Sequence, residues 1–79
     1  MASVVTDETW QAKARNLVKA ELKRRGIGYR ELVERLDKIG VKESEQNIAN
    51  KLSRGGFSAV FLLQVLEAIG CKSISISTE

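Results

Sequence analysis

Between Ser44 and Gly56 the chain reads Ser-Glu-Gln-Asn-Ile-Ala-Asn-Lys-Leu-Ser-Arg-Gly-Gly. On a helix, at about 100° per residue, Ile48 and Leu52 share one stripe, one turn apart. Gln46, Asn50, Arg54 and, at the edge, Asn47 then fall on the opposite side. Asn is a poor helix former, and a merely solvated face is more often built from Glu and Lys. Amides and guanidinium groups can make paired hydrogen bonds to base edges in a DNA major groove, Arg to guanine and Asn or Gln to adenine. The chemistry open to this face is recognition, with Gln46, Asn47, Asn50 and Arg54 as the base-reading candidates. The plainer alternative is that Asn47 and Asn50 are simply exposed or cap loops.

Catalysis finds little to work with. Cys71 is the single cysteine and the chain has no histidine, so a thiolate nucleophile lacks its usual base. The same composition excludes an intrachain disulfide and the common zinc ligand sets. Glu31, Glu34 and Asp37 lie at helical spacing beside Arg30, Arg35 and Lys38, which reads as a solvated, ion-paired face. Gly55-Gly56 lacks the following Lys and the helix of a phosphate loop. The chain is expected to have no catalytic residue, no metal, no cofactor and no small-molecule substrate.

The elements that must carry the polar face belong to a small protein. With 79 residues, 43% hydrophobic and 29% charged, the chain makes one domain around one core. At that size a single core leaves only a few kcal/mol, so pairing with a second copy is worth looking for. The net charge of +3 and pI of about 9.3 are mildly basic. Their distribution says more: Lys13, Arg15, Lys19, Lys23, Arg24, Arg25 and Arg30 crowd the first third. Phosphate contacts would come from such a local basic zone. No apolar run reaches the roughly 18 residues of a membrane span, and the N-terminus lacks the layout of a secretion signal. A cytoplasmic, nucleoid-associated protein is expected.

Residues 1–6 read as an arm, 7–70 as a helical core and 71–79 as a strand or tail. A first helix begins near Asp7, with Trp10, Ala14, Leu17, Val18 and Leu22 at helical spacing and Gly26 beyond its end. The second runs from about Tyr29 to Ile39. Its bare start at Gly28 offers amides to a phosphate, and Arg30 stands beside them. Tyr29 is either a core-edge aromatic or a hydroxyl aimed at a phosphate. Ser44 caps the third helix and Ser58 the fourth. The fourth is apolar nearly all round, as befits a central helix or one half-used in an interface. In the tail, Ile74 and Ile76 alternate with serines, a strand signature. That strand needs a ladder, either from Ser3-Val4-Val5 or from the same strand of a second subunit. The second arrangement is the one expected, with a dimer interface at Phe61, Val65, Ile74 and Ile76.

Four short helices, the second and third joined by a Gly-containing turn, have the layout of a helix-turn-helix module. From about Leu17 to Ile69 the chain resembles the repressor-like helix-turn-helix proteins of bacteria and phages, the Cro and lambda-repressor kind. The resemblance lies in Leu22-Lys-Arg-Arg-Gly-Ile, in Leu32-Val33, in Leu52-Ser-Arg-Gly55 and in Phe61-Leu-Leu-Gln-Val-Leu-Glu-Ala-Ile-Gly70. More narrowly, Asn50-Lys-Leu-Ser-Arg-Gly-Gly-Phe-Ser58 with Phe61-Leu-Leu-Gln is similar to a family of small bacterial proteins of unassigned function. The broad resemblance implies an all-α fold of four to five helices in which Ser44 to Arg54 carry the recognition helix. Three departures stand out. Gly28-Tyr29 replaces the usual Ser or Thr followed by Gln, Val33 replaces an Ala, and the turn from Gly40 to Glu43 is about a residue longer.

The function expected on these grounds is sequence-specific binding of double-stranded DNA by a repressor-like homodimer. Gln46, Asn47, Asn50 and Arg54 would face bases, while Gly28, Tyr29, Arg30, Lys51, Ser53 and Gly55 would position the backbone. The competing expectation is a protein-interaction module that uses the same fold without DNA.

Overall fold

Serines start two of the helices as their sequence positions demand. The Ser44 Oγ accepts the Asn47 N–H and the Ser58 Oγ accepts the Phe61 N–H, both at 3.0 Å. In the computed structural model, which describes residues 7–76, the order is α1 (Asp7–Arg25), α2 (Tyr29–Lys38), α3 (Glu45–Arg54) and α4 (Ala59–Ala68). The expected all-α class holds, with four helices among the described residues. Among the described residues no helix is long and apolar enough to cross a membrane.

Three of the four helices end alike. Ile27 N–H donates to the Leu22 carbonyl, Val41 to Leu36 and Cys71 to Leu66, each at 2.9 Å. In each case the preceding glycine takes positive φ and the donor residue folds back toward the core, the pattern of a Schellman ending with its apolar contact. The turns are therefore set by a repeated local device, and each one redirects the chain across a shared apolar centre.

That centre consists of Val18 and Leu22 from α1, Leu32 and Leu36 from α2, Ile48 and Leu52 from α3, and Phe61 and Val65 from α4 with Ile69 at its C-cap. Ile27 and Cys71 close it from the turns. Helix α3 packs against α1 and α2, whereas α4 packs chiefly against α2. Polar ties hold the ends. Buried Glu21 receives Arg25 at 3.0 Å and Arg24 at 3.2 Å. Arg25 also donates through Nε to the Ile69 carbonyl at 3.3 Å, joining the C-terminal ends of α1 and α4.

Two expectations need correction. The tail from Cys71 to Ile76 is not helical, but no strand exists among the described residues. An extended segment becomes a strand only with a ladder beside it, and here the Cys71 N–H is already used to close α4. The Ser3-Val4-Val5 arm lies outside the described residues. Phe61 and Val65 are 3% and 0% exposed, so they are core residues and cannot face a partner. The 3.6-residue period that brings Phe61, Val65 and Ile69 inward turns Val60 and Leu63 outward instead. Of the other two dimer candidates, Ile74 is half-buried against the core and Ile76 is exposed.

Candidate nucleic-acid interface

Helix α3 buries its apolar seam completely: Ile48 and Leu52 are both 0% exposed. At about 100° per residue, Ser53, Gln46, Asn50, Arg54 and Asn47 follow one another around the remaining arc, which spans about 120°. All five are exposed. Among the described residues, none of the side chains of Gln46, Asn47, Asn50 and Arg54 is engaged in a hydrogen bond or ion pair. That is the one continuous stretch of α3 where hydrogen-bonding capacity is left for a ligand.

The arc is not flat. Asn47, Asn50, Lys51 and Arg54 line a cleft of about 470 Å³ whose other walls are Gln11 of α1, Phe61 of α4 and the loop from Gly56 to Ser58. Phe57 and Phe61 meet edge-to-face there, with centroids 5.6 Å apart and planes at 64°. Gln46 belongs to the same exposed arc but lies outside the cleft. Gln11 is a third neutral amide at the cleft, and the helical periodicity of α1 gives no signal for it. The doubled glycine at 55–56 does signal a close approach, although it does not say of what.

What approaches Gly55 is α1. Gly55 caps α3 in the left-handed conformation at φ 71°, and its N–H donates to the Lys51 carbonyl at 3.1 Å. A Cβ at this position would lie 2.7 Å from the Gln11 carbonyl carbon and closer still to its oxygen. Arg15, one turn further along α1, donates to the Ser53 carbonyl at 3.1 Å. Thus α1 fixes the C-terminal end of α3, and with it the direction in which Arg54 leaves the helix.

Several expected backbone contacts are spent inside the fold. The Gly55 amide serves the helix cap, so it is not open to a phosphate. Lys51 reaches Glu43 at 2.6 Å, and its ammonium stands 4.6 Å from the Phe61 ring centroid. The Glu43 side chain is only 9% exposed, so Lys51 neutralises a nearly buried carboxylate. The Ser53 hydroxyl donates to the Asn50 carbonyl at 3.0 Å. Tyr29 is half-buried against the core. Gly28 and Arg30 remain exposed, and Gly28 starts α2 without a side-chain cap. They share a separate, mixed-charge cleft with Glu31, Glu34, Arg35 and Lys38, where Arg35 is paired to Glu31 at 2.8 Å. The structure therefore brings Asn47, Asn50, Lys51 and Arg54 together, with Lys51 held by Glu43, and leaves the start of α2 as a distinct surface.

Among the described residues, no group of three or more His, Cys, Asp or Glu side chains is placed to hold a metal ion. Cys71 is buried, donating to the Ser73 carbonyl at 3.2 Å and lying 3.7 Å from Glu21. Such a thiol behaves as a small packed side chain.

Residues 10–74 match the model of a family described as a domain of unknown function (DUF6471), and the chain belongs to that family. The match agrees with the narrower of the two resemblances read from the sequence. Neither a curated protein nor a solved structure matches the chain.

Proposed function

We propose that this protein binds double-stranded DNA in a sequence-specific manner, as a repressor-like regulator working at the nucleoid in the cytoplasm. Two copies act together, each presenting α3 to a major groove. The observation that carries the reading is the unengaged polar arc of α3. On a chain whose Arg24, Arg25 and Arg35 are all paired to acids, Arg54 stands exposed beside Asn47 and Asn50. In this reading Asn50, near the middle of the arc, meets a base edge, while Arg54 reads guanine or holds a phosphate. Asn47, Gln46 and Gln11 flank them. Arg30 and the uncapped amides after Gly28 are the backbone contacts left available at α2.

The deciding experiment is selection of bound duplexes from a random pool, followed by titration of the recovered sequence over a range of salt. The slope of log affinity against log salt should approach about −0.9 for each phosphate neutralised. Asn50→Ala should weaken the selected duplex about 5- to 150-fold, the equivalent of about 1–3 kcal/mol for one good base contact, with unfolding unchanged. Absence of salt-dependent duplex binding even at low salt would refute the reading. It would favour the second function, a protein-interaction module, for which the exposed Val60 and Leu63 on α4 are the supporting observation.

A further inference from the structure

We infer that the outer face of α4 is where two copies of this chain pair, with the two helices antiparallel about a two-fold axis at Leu63. The inference deepens the pairing in the function proposed above and does not depend on DNA being the ligand.

Helix α4 has two apolar sides. Phe61, Val65 and Ile69 face the core, while Val60 and Leu63 are 63% and 65% exposed on the other side. Half-buried Leu62 and Leu66 join the two sides, bordering a groove of about 570 Å³ between α4 and residues 72–74. Contiguous apolar surface of this kind on a small domain marks an interaction site. A duplex is a poor occupant, because α4 contains no cation and the groove beside it has only Lys72.

The charge pattern identifies the occupant as a second copy. Helices α2 and α3 each carry an acid in the first turn, Glu31 and Glu45, whereas α4 has none. The only charge on α4 is Glu67, at its C-terminal end, where the dipole of its own helix opposes an anion. Glu67 is exposed, and no described residue pairs with it. Antiparallel packing about Leu63 sets residue 67 of one copy opposite residues 59–60 of the other. Each Glu67 then lies against the acid-free N-terminal turn of its partner's α4, and the axis generates the contact twice. Parallel packing would instead bring Glu67 against Glu67. An isologous antiparallel pair is the arrangement that turns this otherwise misplaced carboxylate into a favourable one.

The test uses the full chain, with sedimentation equilibrium across a dilution series and oxidative cross-linking of cysteine variants. Wild type is expected to dimerise reversibly. Leu63→Glu should weaken association about 100-fold by placing an unpaired charge at the centre of the interface. Glu67→Lys should weaken it about tenfold by reversing the sign at both helix starts. Leu63→Cys should cross-link to itself, and Val60→Cys should cross-link to Glu67→Cys when the two are mixed. Buried Cys71, present in wild type, provides the baseline. Leu63, Val60 and Glu67 are exposed, so circular dichroism should show each variant folded. A wild type that remains monomeric, a dimer in which Leu63→Cys fails to link, or self-linking by Glu67→Cys would each overturn the inference. A monomer that still binds duplex DNA overturns the pairing alone, while a dimer without DNA affinity overturns only the DNA reading.

Discussion

Replacing Gly55 with alanine tests how α1 holds the end of α3. Two costs are expected to add. The first is conformational: a side chain at φ 71° sits in the left-handed region at about 1–2 kcal/mol. The second is steric: the new Cβ would stand 2.7 Å from the Gln11 carbonyl carbon and 2.9 Å from the Gln11 Cβ. Backbone atoms cannot rotate aside, so α1 must shift from α3, at about the 1–3 kcal/mol of an overpacked core. Gly40→Ala is the matched control, because Gly40 has φ 82° but nothing within 4 Å of an added Cβ. It should show the first cost alone. For a domain of this size each kcal/mol moves the melting temperature by about 4–8 °C. The control should then lose about 4–16 °C, and Gly55→Ala about 4–24 °C more. Thermal and urea unfolding followed by circular dichroism measures both. Equal losses at the two glycines would refute the close approach of α1 and the account of α3 built on it.

Other perturbations test the polar ties of the fold one at a time. Arg25→Ala should destabilise by about 1–3 kcal/mol, since it strips buried Glu21 of a partner and leaves the Ile69 carbonyl without its donor. Arg24, whose side chain is 68% exposed, should cost under about 1 kcal/mol when replaced by alanine; similar urea midpoints for the two variants would contradict the tie between α1 and α4. Lys51→Met keeps the stem but leaves Glu43 unpaired, so it should lower stability by about 1–3 kcal/mol, with Glu43→Gln recovering part of the loss in a double-mutant cycle. A variant as stable as wild type would show that the ion pair does not hold the loop. Ser44→Ala should cost about 1 kcal/mol through loss of its bond to the Asn47 N–H, and no change in the urea midpoint would mean that water replaces the cap.

Local signals carried most of the helices. Ser44 and Ser58 cap where a short polar residue precedes an apolar period, and Gly26, Gly40 and Gly70 stop helices by a motif with its own apolar partner one residue on. The core-facing members of α2 and α3 were equally legible, because each helix has one narrow apolar stripe. Helix α4 was not. With apolar residues on both sides its period cannot say which side is inward, so Phe61 and Val65 were assigned to a partner when they belong to the core. The tail failed for a related reason: alternation records which side chains could share a face, while a strand also needs a neighbour. The roles of Lys51 and Gly55 depend on Glu43 eight residues away and on Gln11 across the fold, and no spacing rule reaches that far.

These reassignments change what counts as a candidate contact. Residue type alone made Lys51, Ser53 and Gly55 as plausible as Asn50 and Arg54, because each offers a donor near the same helix. The fold divides them. The Gly55 amide and the Ser53 hydroxyl each have a single hydrogen, already donated within the protein, and must give up that bond before making another, so the exchange yields little net free energy. The Lys51 ammonium keeps two further donors, but drawing it away toward a ligand would leave the nearly buried carboxylate of Glu43 without its partner. A donor that only water satisfies incurs no such internal loss. By that criterion the proposed recognition surface centres on Asn47, Asn50 and Arg54, with Gln46 and Gln11 at its borders and Lys51 held by Glu43. The satisfied donors acquire a different duty: Lys51 braces α3 against the preceding loop, and Gly55 lets α1 close on its end. Both fix the orientation of a short helix whose few free side chains would, in the proposed function, have to reach a ligand together. Loss of either residue should therefore act on the proposed recognition through the placement of Asn50 and Arg54, and through stability, before it acts through any lost contact of its own.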